Sequence, residues 1–375
     1  MIRLLKILFA IIALLILVAI LIAGSLILFV DPNKLKPVLI EEVKKRSNYT
    51  LTIDGDLTWS FYPQLGIKVE HMTLRMPNQA TAFVDLRGVR VAMGWQQLLE
   101  GTKKLQGDVH IAEVKLSNVQ AKQAHVGLHW QNNTLMLQPL TASLYSGTLQ
   151  GVAQIQLLTA EPIWHWQVTL DHIQLKPLLR DVNGTDSKIQ INGIAQVKFQ
   201  ANTQGNTKTQ LLTYLNGDVV YNVQHGVLEG VDFNYLLQSA DALLSKQPLT
   251  LPANLNQTAF ENFAGTTIIK NGLAKDNFLL SAAAFTVKGE GTVNLLDETL
   301  DYQLQLMPLN MAALKWPVPI LIDGNLAHPK IGLDTTKLKT LLMQEQLEQV
   351  QQKAQEHIKQ LPAKVDKFLK NILKQ

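Results

Sequence analysis

His125 and His129 are four residues apart, the spacing at which a helix presents two imidazoles on one face as metal ligands. Their neighbours argue against a helix. Val126, Leu128 and Trp130 alternate with polar or small residues, and on a strand that spacing separates the two rings by about 13 Å, too far to share an ion. Asp54 and Asp56 would suit acid–base work as a pair, but they flank Gly55 and read as a hairpin turn. Gly289-Glu290-Gly291 lacks the third glycine and the following helix of a dinucleotide fingerprint, so it reads as a sheet bend. The sequence has no nucleophile elbow, no phosphate-binding glycine loop with lysine and no paired-cysteine metal site. No polar set forms a proton-transfer or nucleophile pair, so the expectation is a non-enzymatic protein without cofactor or metal. Asn48-Tyr49-Thr50, Asn132-Asn133-Thr134, Asn183-Gly184-Thr185 and Asn256-Gln257-Thr258 match the glycosylation acceptor pattern, which matters only in a eukaryotic secretory pathway.

The elements around these residues explain the lack of chemistry. From Ile7 to Val30 the chain is apolar without a single charge and is then broken by Asp31-Pro32. At about 1.5 Å per residue the run reaches roughly 36 Å, enough to cross a hydrocarbon core of about 30 Å with some tilt. A signal peptide has a shorter apolar core and a small residue before its cleavage site, whereas Leu21 stands ahead of Ala23-Gly24 here, so the run reads as an uncleaved anchor. Arg3 and Lys6 before the span nearly balance Lys34 and Lys36 after it. A first span usually dominates and a long following domain is exported largely regardless of charge, which favours a short cytoplasmic tip and an exported body.

That body has a folded composition. Of 375 residues, 47% are hydrophobic and 17% charged, with many Gln, Asn and Thr, which fits sheets with one polar face. The absence of cysteine rules out disulfides and thiol chemistry. A net charge of +4 mildly favours anionic lipid, but there is no concentrated basic face, so nucleic acid is not an expected partner.

The dominant period is two. Ile191, Ala195, Val197, Phe199 and Ala201 alternate with Gln190, Asn192, Gln196, Lys198, Gln200 and Asn202, and only Ile194 breaks the pattern. Trp164, Trp166, Val168 and Leu170 repeat this rhythm, as do Leu300, Tyr302, Leu304 and Leu306. Further strands are expected at Tyr49 to Ile53, Leu57 to Phe61, Lys68 to Met76, Val109 to Leu116, Val219 to Val223 and Phe285 to Leu295. Gly151, Gly193, Gly217 and Gly291 each precede an alternating run, a pattern that reads as bends or bulges in a strongly coiled sheet.

Helices are expected from Asp31-Pro32 through Ser47, from Asp232 to Lys246 and, as a short turn, from Trp95 to Glu100. After Asp334 the chain becomes a helical tail rich in Gln, Lys and Leu and interrupted at Pro362. Val365, Phe368, Leu369, Ile372 and Leu373 fall on one side of a helical wheel with Lys367, Lys370 and Lys374 opposite, an arrangement suited to an anionic membrane surface or to docking on the protein's own sheet.

Two regions together resemble the AsmA family of inner-membrane-anchored periplasmic proteins. The first is the apolar span, then Asp31-Pro32-Asn33 and the stretch from Leu51 through Trp59-Ser60-Phe61-Tyr62-Pro63. The second comprises Asn216 to Tyr221, Gly226 to Asp232, Phe260 to Gly272, Phe285 to Leu295 and Pro319 to Pro329, while Gly101 to Leu158 matches only loosely. The resemblance implies a role in outer-membrane biogenesis, with the larger relatives regarded as β-groove bridges that move phospholipid between membranes. A body of this size is expected to supply a partial groove near the inner membrane rather than a conduit across the periplasm.

The expected fold is therefore mainly β: a long coiled antiparallel sheet forming a taco-like groove, with one N-terminal transmembrane helix, a few short helices and a C-terminal amphipathic tail. The expected divisions are 1–30 for tip and anchor, 31–150 and 151–335 for two β regions, and 336–375 for the tail. An apolar groove would shelter acyl chains at about 0.8 kcal/mol per buried methylene. Candidate wall residues are Trp59, Phe61, Trp164, Trp166, Val197, Phe199, Phe285, Val287, Leu304 and Leu306. The other reading of the same residues is a closed, ordinary core. Phospholipid and the inner membrane are the expected partners, and a scaffold for envelope-assembly proteins is the second functional reading.

Overall fold

The computed structural model describes residues 31–61, 65–77, 79–93, 105–157, 161–184, 189–245, 256–309 and 316–372, apart from the side chains of residues 46–47, 105, 183, 244–245, 345, 349 and 357–372. Seventeen strands form one sheet. In chain order they are β1 Thr50–Asp54, β2 Thr58–Ser60, β3 Leu65–Arg75, β4 Ala82–Met93, β5 Leu105–Leu116, β6 Val119–Gln131, β7 Thr134–Leu144, β8 Gly147–Gln156 and β9 Ile163–Gln174. They continue as β10 Gln190–Gln204, β11 Asn216–Glu229, β12 Gln257–Lys270, β13 Leu273–Ser281, β14 Phe285–Asn294, β15 Thr299–Pro308, β16 Val318–Asn325 and β17 Pro329–Leu333. A 3-10 turn at Pro32–Lys34 leads into α1 Leu35–Ser47; the other helices are α2 Leu175–Asn183, α3 Lys208–Thr213, α4 Phe233–Ser245 and α5 Thr335–Ile372.

From β3 onward every strand pairs antiparallel with the next one in sequence, a single meander from β3 to β17. No register among the described residues joins β17 back to β1 or β2, so the sheet is open and is not curled into a closed barrel. Local chemistry favours the meander. Asn132 and Asn133, between β6 and β7, and Asn271 and Gly272, between β12 and β13, all have positive φ, the conformation of two-residue turns whose twist matches that of the strands.

The Asp54-Gly55-Asp56 stretch does not make the expected hairpin. β1 and β2 both pair with β3, through Asp54↔His71 and Thr58↔Lys68, so they form one edge strand interrupted at Gly55. The interruption is pinned by Asn33, whose Oδ1 accepts from the Leu57 N–H at 2.9 Å. His71 bridges this edge to β4, with Nδ1 2.8 Å from Asp54 and Nε2 3.0 Å from Asp85.

Alternation along each strand gathers the apolar side chains on one face, but the rhythm skips a residue at set places. Val69 and Met72 in β3, Leu86 and Val89 in β4, and Ile111 and Val114 in β5 are all buried, each pair three residues apart. These skips lie side by side, because Val69 pairs with Val89 and Val89 with Ile111. Such irregularities strengthen local twist while keeping the same face inward. The break at Ile194 has the same cause: the register shifts between Asn192 and Ile194, and Ile194 turns outward and is exposed. Gly193, at φ 149°, is the bend expected there.

The buried side chains form two clusters. One spans β1 to β9 with Leu39 and Val43 of α1 and Leu211 of α3; the other spans β10 to β16 with Phe233, Leu237 and Ala240 of α4. Helix α5 begins on the sheet, where Asp334 Oδ1 accepts from the Lys337 N–H and Leu338 is buried. Farther along, Met343, Leu347 and Val350 are exposed. The helix runs unbroken through Pro362, where the sequence reading placed an interruption, and its 38 residues extend about 57 Å.

No helix among the described residues is long and apolar enough to cross a membrane. The Ile7 to Val30 span, the Trp95 to Glu100 turn and Lys374 lie outside the described residues, and so do the side chains of Val365, Lys367, Phe368, Leu369, Lys370 and Ile372.

Candidate functional site

The register builds an apolar wall from one side chain per strand. In one row, Trp59 lies beside Ile67, followed by Val91, Val109, Val126, Leu140, Gly151, Val168 and Phe199. The same row continues through Val219, Thr267, Asp276, Gly291, Tyr302, Ile322 and Ile331. It therefore crosses the sheet from its first edge to its last, and every position in it is apolar, glycine, threonine or tyrosine except Asp276.

Nine of the ten wall candidates sit on this face, divided between the two clusters. Trp59, Trp164, Trp166 and Phe199 belong to or pack against the first; Val197, Phe285, Val287, Leu304 and Leu306 belong to or pack against the second. Phe61 is 67% exposed, lies beyond the end of β2 and joins neither. Burial separates the nine further. Phe285, Val287, Leu304 and Leu306 are at most 2% exposed and form packed floor, whereas Trp59, Val197 and Phe199 keep some open surface. Trp164 and Trp166 stack with ring centroids 5.9 Å apart. The Trp164 indole N–H donates to the Gly205 carbonyl at 3.0 Å, while that of Trp166 is buried without a partner.

Across the middle of β11 to β15, Tyr221, Phe263, Phe278 and Tyr302 are only partly buried. Their rings form a chain of aromatic contacts, with centroids 5.4, 5.1 and 6.1 Å apart in turn. Three of the rings lie over a glycine, Tyr221 on Gly265, Phe278 on Gly289 and Tyr302 on Gly291. A Cβ at Gly265 would overlap the Tyr221 ring, and one at Gly291 would overlap the Tyr302 ring. So placed, both tyrosines reach Asp276. Tyr221 OH is 3.2 and 3.1 Å from the two carboxylate oxygens, Tyr302 OH donates at 3.1 Å and Thr267 Oγ1 at 2.8 Å. Burial, reinforced by the Asp276 charge, pushes both phenols above their ordinary range, so they remain neutral donors.

The sequence reading missed this group. Its signal was present, because Asp276 falls in the apolar phase of β13 with Ala274, Phe278 and Leu280. Gly291, read as a bend, instead makes room for a ring. His125 and His129 both lie on strand β6, as their neighbours predicted, and His125 stacks on His110 at 4.2 Å while contacting Asp108 at 3.0 Å. On the opposite, polar face a cleft of about 840 Å³ lies between β13–β16 and the start of α5, lined by Lys275, Lys288, Glu290, Asp301, Gln303 and Lys337. Pro317, Pro319, Leu321 and Leu341 complete the lining, so charged and apolar surface are mixed there.

The sequence matches known proteins over part of its length. The AsmA family model matches residues 1–106 and 102–279. A curated relative, Protein AsmA of Escherichia coli (strain K12), is 34% identical over 88 residues, a stretch that covers 23% of this chain and 14% of the relative. No solved structure matches. The matched family segments take in most of the chain, from before the first edge strand to β13, and the chain belongs to the AsmA family.

Proposed function

We propose that this chain is a tethered, non-enzymatic β-groove protein of the cell envelope, anchored in the inner membrane with its bulk in the periplasm, that binds or transfers phospholipid acyl chains in outer-membrane biogenesis. The observation that carries the proposal is the mainly apolar row, with Asp276 as its one charged member, that runs in register from Trp59 to Ile331. Helices α1, α3 and α4 add side chains to that face, and strand residues such as Val91, Val109 and Val126 are buried there with them. On our reading the twisted sheet coils about this face and makes it concave, so that Phe278, Tyr302, Ile322 and Ile331 remain as an open strip above a packed floor. Each methylene laid on that strip would leave water with a gain of about 0.8 kcal/mol. The basic, apolar end of α5 would rest on anionic lipid, as its sequence pattern allows.

The second reading, a scaffold for envelope-assembly proteins, is favoured by one feature, the exposed stripe of Met343, Leu347 and Val350. A photo-crosslinking residue at Phe278 or Ile322 and another at Leu347, tested in the intact envelope, separates the two. Lipid adducts at the wall positions support the transfer role. Protein adducts at all three positions, with no lipid at the wall, assign the chain to scaffolding instead.

A further inference from the structure

We infer that the Asp276 carboxylate docks the ammonium group of an amphiphilic lipid whose hydrocarbon lies on the neighbouring wall; the inference rests on the reading of that wall as an acyl surface and adds the headgroup class. Asp276 is the one formally charged residue in the transverse row, and it takes part in none of the ion pairs within 4.0 Å among the described residues. The lysines of the adjoining strands alternate to the other face, where Lys288 pairs with Glu290 at 3.2 Å.

Three hydroxyl donors fix the carboxylate but leave its charge uncompensated. They also leave acceptor capacity, since an ionised carboxylate offers about four lone-pair sites. Asp276 stays partly exposed, and its neighbours on the wall are the rings of Tyr221, Phe278 and Tyr302. An ammonium group gains there twice, from the carboxylate and from the negative faces of the rings. A divalent metal ion fits worse: one carboxylate and three neutral hydroxyls fall short of the charged oxygen set that hard cations require. An anionic headgroup would be repelled.

The test uses the full chain in mild non-ionic detergent, offered equal amounts of dioleoylphosphatidylethanolamine and its N-acetyl derivative, which keeps the phosphate and chains but lacks the nitrogen charge. Native mass spectrometry should show the ammonium lipid bound in about 5-fold excess. In Asp276→Asn the ratio should fall to near parity, while Glu290→Gln, which removes an exposed carboxylate from the opposite face, should keep the preference. Equal binding by the wild-type chain, or an undiminished preference in Asp276→Asn, overturns the inference and leaves the acyl-wall reading standing; the wild-type ratio decides by itself if Asp276→Asn does not fold. Binding of neither lipid overturns both, and a crosslink from this site to a lysine-bearing protein would give the carboxylate to a protein partner.

Discussion

Tyr221 on β11 and Tyr302 on β15 stand four strands apart and donate to the same carboxylate, that of Asp276 on β13. Each crosses one intervening strand by lying over a glycine, Gly265 on β12 or Gly291 on β14. Five consecutive strands are thereby tied by side chains as well as by backbone ladders. The only carboxylate in the apolar row thus has a defined orientation in an otherwise greasy surface.

Gly291→Ala should lower stability by about 1–3 kcal/mol, because its methyl group competes for the space of the Tyr302 ring. The cost should fall in a Tyr302→Ala background, where the ring is gone, but not vanish, because the Asp301 carbonyl still lies 2.6 Å from the added carbon. Urea unfolding of the four chains in that cycle measures the coupling. An equal cost in both backgrounds would show that the Asp301 carbonyl, rather than the ring, demands glycine.

The two stacked tryptophans should respond unequally to the same change. Trp164→Phe removes the donor to the Gly205 carbonyl, whereas Trp166→Phe removes an N–H that has no partner. The volume lost is the same, so Trp164→Phe should be the more destabilising by about 1–2 kcal/mol. Thermal unfolding of the two variants side by side checks the order.

On the polar face, burial, together with the charge of the stacked His125, holds the His110 pKa below the ordinary histidine value near 6.5; Asp108 opposes the shift and Arg90 adds to it. The fold therefore disfavours protonated His110. Its contribution is intact above the ordinary value, is lost progressively as the pH falls below it, and changes no further once the pH has passed the folded value. Unfolding curves collected from pH 7.5 down to pH 5 should show a loss of stability that is smaller in His110→Gln. An identical pH dependence in both chains would refute this.

The strands were legible because each buries one face, so that alternation in Trp164 to Leu170 or Leu300 to Leu306 was visible without partners. The skips at Val69–Met72 and Leu86–Val89 were less legible, since a lost beat looks like noise until neighbouring strands are seen to lose it together. Gly55 misled for a similar reason: the same residue types serve a hairpin and an interruption in an edge strand, and only pairing with β3 distinguishes them. Asp276 was hidden by the habit of reading an isolated acid as a surface residue, although its phase in β13 marked it as facing the apolar side. The wall candidates were found by hydrophobicity, which does not separate the packed floor at Val287 and Leu306 from the open strip at Phe278 and Tyr302.

The most direct measurement is native mass spectrometry of the chain extracted gently from the cells that express it. Bound phospholipid should be present in the wild-type chain and reduced severalfold when Phe278 and Ile322 on the open strip are both replaced by aspartate, with the β circular-dichroism signal retained. A wild-type chain repeatedly recovered free of any acyl-bearing molecule would contradict a lipid-sheltering wall.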